Sequence, residues 1–212
     1  MIRRPILALR GVAFALICLT ACDHIAYRQM NDPARDAWQQ PDAVIQALHI
    51  SRGVRIADLG AGGGYFTFPL ARAVGPEGKV YAVDTEDSSL RFIETAAAQR
   101  GGMPPQVELK LATPDRPNLP TGDIDLIFTC NTYHHLSNRT MYMRNLRTAL
   151  RPNGRIAIID FKEGSWLGSL FGHATSKETV RQEMEAAGYR LIDDFDFLAK
   201  QHFQVFAPNT RE

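Results

Sequence analysis

The chain has 212 residues, 45% hydrophobic and 22% charged, with a formal net charge of +1. That size and apolar content fit one domain with a sizeable core plus a tail, and the near-neutral balance removes the electrostatic case for a nucleic-acid partner. Cys18 and Cys22 lie near the N-terminus and Cys130 alone in the body, so a disulfide framework is excluded; no Cys/His spacing suits zinc, and no metal is expected.

In chain order, Arg3, Arg4 and Arg10 precede an apolar stretch over residues 11–21. It is too short to span a bilayer comfortably and right for a signal-peptide core. It ends in Leu19-Thr20-Ala21-Cys22, followed by Asp23. This stretch resembles the bacterial lipoprotein box. The resemblance implies cleavage before Cys22, lipid on its sulfur, and inner-membrane retention through Asp23 with the body on the periplasmic face. An uncleaved signal anchor, or a start at Met30 that leaves a cytoplasmic protein, are the competing readings. The expected division is therefore 1–21 signal peptide, 22–42 linker with an N-terminal helical segment, 43–207 folded domain and 208–212 tail.

Pro33 and Pro41 bracket a short helix candidate containing Trp38, and residues 41–49 read as a helix turning Val44, Ile45 and Leu48 inward. Near-continuous apolar runs at 55–58, 79–84, 107–111, 124–129 and 154–160 read as strands. Helical stretches at 66–74, 88–100 and 140–150 separate most of them, and 150–154 is a turn signal. Such alternation means a parallel sheet covered on both faces. Ser176 then caps a helix that Gly188 stops, and 189–197 with 201–207 form a hairpin at the sheet's edge. The fold expected is an α/β doubly wound, mostly parallel seven-stranded sheet with a C-terminal antiparallel hairpin.

The most informative stretch is Asp58-Leu59-Gly60-Ala61-Gly62-Gly63-Gly64-Tyr65. A strand ends on a carboxylate, breaks into glycines and resumes as a helix, so backbone approaches a ligand where a Cβ would obstruct it. A nicotinamide-dependent oxidoreductase is disfavoured. Tyr65 stands where the dinucleotide fingerprint has its third small residue, and Asp58 would repel a pyrophosphate. Asp58 suits a ligand with a cationic amino-acid end. Asp84 ends the second strand slightly beyond the usual 20-residue spacing, because Gly75 to Gly78 lengthen the connection. It can accept both hydrogen bonds of a ribose diol or cap the helix that follows. At these residues the chain resembles the class I S-adenosylmethionine (SAM)-dependent methyltransferases, and the resemblance extends over residues 43–207. It implies SAM as cofactor, held by Asp58, Gly60, Gly62, Gly64 and Asp84, and methyl transfer as the reaction.

That reaction needs alignment of donor and acceptor, and a base where the acceptor carries a proton. Asn131-Thr132-Tyr133-His134-His135 leaves the carboxyl end of the fourth strand, where ligands of open α/β sheets sit. Asn131 is placed to bond the methionine end, Tyr133 to line the pocket, and His134 or His135 to act as base. A cap or another structural role is the competing reading for either histidine, and adjacent histidines diverge too far to share a metal. The resemblance places His173 in a substrate-facing segment. Asp160, ending the fifth strand, either faces the acceptor or caps the following loop. Many relatives carry an acid for the adenine amino group after the third strand; here Ala112 and Thr113 stand, with Asp115 displaced beyond Pro114.

A small-molecule acceptor is expected, since neither an added substrate domain nor a basic surface is evident. The competing reading is an exported or membrane-anchored binding protein that keeps the fold without the reaction. The lipoprotein-like start favours it, because SAM is a cytosolic metabolite.

Overall fold

The computed structural model describes residues 27–29, 31–163 and 174–209. The expectations for Cys22 and His173 lie outside them. The described residues form a seven-stranded sheet in the order β3-β2-β1-β4-β5-β7-β6. Its strands are β1 (Arg55–Leu59), β2 (Lys79–Asp84), β3 (Val107–Leu111), β4 (Ile124–Cys130), β5 (Leu150–Phe161), β6 (Tyr189–Phe195) and β7 (Gln201–Pro208). Neighbours from β3 to β5 run parallel, and β7 runs antiparallel to both β5 and β6. The C-terminal hairpin thus inserts its second strand and leaves β6 at the edge.

Helices cover both faces. The described N-terminal part has a 3-10 turn (Pro33–Arg35), α1 (Asp36–Gln39) and α2 (Pro41–Ala47). On the face of α2, α3 (Thr67–Val74) and α4 (Asp87–Ala98), residues Val44, Leu70, Ile93, Ile56 and Phe128 share one core. On the other, α5 (Arg139–Leu146) and α6 (Lys177–Ala186) bury Met143, Leu146, Val180 and Met184 against Ile127, Ile156 and Ile158. Apolar side chains on both faces of the central strands make them near-continuous hydrophobic runs, which is why they could be located from sequence. Ser176 caps α6 by accepting the Thr179 N–H at 3.1 Å, and Gly188 follows with φ +93°.

Two local readings change. The turn expected at 150–154 belongs to β5. Ile124 pairs with Leu150 and Leu126 with Arg155, so the extra residues form a bulge that accommodates Pro152 within the ladder. Residues 31–40, expected within a linker, pack onto the domain as described below. Among the described residues no helix is long and apolar enough to cross a membrane.

Candidate functional site

The sheet order reverses direction between β1 and β4, and the turn after β1 lies at that switch point. Gly60, Gly62 and Gly64 have φ +75°, +52° and +81°. At Gly60 a Cβ would lie 2.2 Å from Thr132 Oγ1, so a side chain there is excluded by both backbone and contact. This packing brings the segment after β4 against the glycine turn. At Gly64 a Cβ would meet Ile93 of α4 at 3.1 Å, so this glycine permits close helix packing.

Asp84 locks the turn to β2. Its Oδ2 accepts the Gly62 N–H at 2.8 Å and its Oδ1 accepts the Glu86 N–H at 3.0 Å. Asp58, expected to meet the cationic end of the ligand, lies at the end of β1 against α3. It is 3% exposed and accepts a 2.6 Å hydrogen bond from the Thr67 hydroxyl at the start of α3. Burial pushes its carboxyl up to about 7; the Thr67 bond opposes the rise and nearby Asp84 adds to it. Asp58 therefore joins the end of β1 to the first turn of α3.

The segment after β4 divides its residues between several tasks. Asn131, at φ +56°, spends its Oδ1 on Gln201, whose Nε2 donates to it at 2.6 Å. Gln201 Oε1 in turn accepts from Gln39 of α1, also at 2.6 Å. Tyr133, expected to line the pocket, is fully buried in the core beneath α5 and α6, and its hydroxyl donates to Glu183 at 2.6 Å. Arg139 grips the same carboxylate twice, at 2.7 and 2.8 Å.

His134 and Asp160 come together. The carboxylate of Asp160, fully buried, accepts the His134 backbone N–H at 3.1 Å and the Phe161 N–H at 2.9 Å. His134 Nδ1 lies 2.7 Å from Asp160 Oδ1. Since the carboxylate accepts throughout, the neutral ring carries its proton on Nδ1 and its lone pair on Nε2. Asp160 thus holds His134 in place and does not face an acceptor itself. The ring of His135 lies tilted against that of His134, with ring centres 4.1 Å apart. A cavity of about 280 Å³ opens beside His134, with walls that include Arg139, Glu163, Thr175, Ser176 and Thr179. Beyond β3, Thr113 and Arg116 close a tight turn that leaves Asp115 exposed.

Sequence reasoning missed the strap formed by residues 31–40. Asn31 Nδ2 donates to the Gly63 carbonyl at 2.5 Å, and Tyr65 donates its hydroxyl to Asp36 at 2.5 Å. The Arg35 guanidinium sits 4.2 Å from the centre of the Tyr65 ring, and Trp38 lies 6.1 Å from Phe161. A tryptophan in an otherwise polar stretch was the one sequence signal that this segment packs.

Residues 50–201 match the family model for a methyltransferase domain. The chain belongs to this family. A SAM-dependent methyltransferase from Aquifex aeolicus has the same fold, with TM-score 0.80 and 25% identity over 86% of this chain and 97% of its own. The CcbJ methyltransferase of Streptomyces caelestis matches at TM-score 0.64 and 17% identity, covering 80% of this chain and 94% of its own. Among curated sequences, the ubiquinone/menaquinone biosynthesis C-methyltransferase UbiE of Burkholderia vietnamiensis is 23% identical over 141 residues, 65% of this chain. This methyltransferase domain spans 56% of that relative's length, and 38% of a 37.1 kDa transposon protein of Streptomyces fradiae to which it is 29% identical.

Proposed function

We propose that the protein is a SAM-dependent methyltransferase whose small-molecule acceptor gives up a proton as it is methylated. The observation that carries the reading is the glycine turn fastened to the strand-end carboxylate, Gly62 N–H to Asp84 at 2.8 Å. Gly60 and Gly62 present backbone without side chains, and Asp84 retains acceptor capacity for ribose hydroxyls, so these residues fit the cofactor. When bound, SAM supplies a methyl group on a positively charged sulfur that leaves as a neutral thioether. The chain's own contribution is then alignment and proton removal. His134 receives the acceptor's proton on Nε2, and Asp160 stabilises the resulting imidazolium through Nδ1–H. The test is transfer of labelled methyl from SAM to small acceptors bearing O–H or N–H groups. Transfer that disappears in His134→Ala supports the reading; binding of SAM without transfer to any of them favours a binding protein on this fold.

We also propose that the native chain is attached to the membrane through Cys22, on the strength of Leu19-Thr20-Ala21-Cys22-Asp23 after a basic and apolar start. Two or three acyl chains at Cys22 would hold it stably. Cell fractionation and intact mass of the native chain and Cys22→Ser decide this. A soluble native protein retaining residues from Met1 or Met30 onward contradicts it and leaves a cytosolic enzyme.

A further inference from the structure

The cofactor's methionine end carries an ammonium, and the proposed reading requires an acceptor for it near the glycine turn. Asp58, the residue whose charge suits that role, is 3% exposed and already accepts the Thr67 hydroxyl through Oδ2. Asp84 is fastened to Gly62 and Glu86 at the β2 side, where the ribose is received. The strap brings another oxygen to the turn. Asn31 Nδ2 is committed to the Gly63 carbonyl, while Asn31 Oδ1 is shut off from water and has no hydrogen-bond partner among the described residues. The amide also fills the space beside Gly63, where a Cβ would lie 2.7 Å from Nδ2. An acceptor left in that condition is destabilising, and any donor that reaches it removes the penalty.

We infer that Asn31 is a cofactor-binding residue whose Oδ1 accepts a hydrogen bond from the ammonium of the bound methionine end. The inference rests on the SAM reading above and adds a residue from the strap to that site. Because Oδ1 is enclosed, the ligand reaches it through a shift of the strap. The strap's described ties to the turn are few: Asn31 to Gly63, Asp36 to Tyr65, and Arg35 over the Tyr65 ring. Once bound, the ammonium joins strap and turn across the ligand.

The experiment measures binding of S-adenosylhomocysteine and of its deaminated form, in which hydrogen replaces the ammonium, to the full chain by calorimetry. Asn31→Ala weakens S-adenosylhomocysteine about tenfold or more, as for a bond to a charged donor, and leaves the deaminated ligand at its native affinity. Asn31→Gln, which keeps the amide but displaces it by one methylene, shows the same pattern and serves if alanine disturbs folding. Tyr65→Phe, which frees the strap at Asp36 alone, leaves the ratio of the two affinities unchanged. Equal losses for both ligands, or no loss, overturn the inference while leaving the SAM reading intact. Failure of the native chain to bind S-adenosylhomocysteine overturns both.

Discussion

His134 bonds Asp160 twice, through its ring Nδ1 at 2.7 Å and through its own backbone N–H at 3.1 Å. The double attachment fixes both the ring's tautomer and its position, as a carboxylate behind a working histidine does in metal and acyl-transfer sites. The histidine follows β4 and the carboxylate ends β5, so two adjacent parallel strands deliver the pair to the ligand end of the sheet.

Nitrogen-15 NMR of the native protein at pH 8 is expected to show His134 with its proton on Nδ1. In Asp160→Ala the ring loses its acceptor and moves to the Nε2–H form usual in water. If His134 is the base, that variant loses about 10²–10⁴ in transfer rate while SAM affinity is retained. An unchanged tautomer would show that Asp160 does not control the ring.

Tyr133 belongs to the core, and a single substitution checks its placement. Tyr133→Phe removes a bond to the Glu183 carboxylate. Burial favours a neutral Glu183, but the bonds from Arg139 and Tyr133 outweigh it and hold the carboxyl below its ordinary range. The variant is expected to lose about 1.5–3 kcal/mol in chemical denaturation and to bind SAM like the native chain. A selective loss of binding would return Tyr133 to the ligand.

Asp58 confers a pH dependence of definite sign. Its folded pKa, about 7, stands above the ordinary 3.8. The folded state therefore holds a proton that the unfolded chain releases, and the group's contribution to stability is fully present below pH 3.8. That contribution falls as pH rises through about 7, by at most about 4 kcal/mol. Asp58→Asn keeps an oxygen for the Thr67 hydroxyl and carries no charge. Its melting temperature should exceed the native value at pH 8, with the gap narrowing towards pH 5. An equal gap at both pH values would mean that Asp58 does not titrate in this window.

The contrast between Asp58 and Asn31 shows what one sequence conveys about such a site. Strand ends, the glycine turn, Asp84 and the Ser176 cap are local patterns in which neighbouring residues dictate backbone shape, and these were legible. That Asp58 is buried depends on Thr67 meeting it from the first turn of α3, which spacing leaves undecided. Tyr133 sits in an irregular 3-10 turn with no period to assign its face. The Asn31 contact with Gly63 and the chain from Gln39 through Gln201 to Asn131 join segments far apart in sequence. Only the folded topology brings them together, so the strap read as a linker.

The central claim is that the glycine turn and Asp84 together hold SAM. Calorimetric titration of SAM into the full chain and into Asp84→Ala tests it most directly. The account predicts saturable binding by the native protein, weakened by about 1–3 kcal/mol in the variant, as hydrogen bonds to a charged group are lost. No binding by the folded native protein, or equal binding by both, would contradict it.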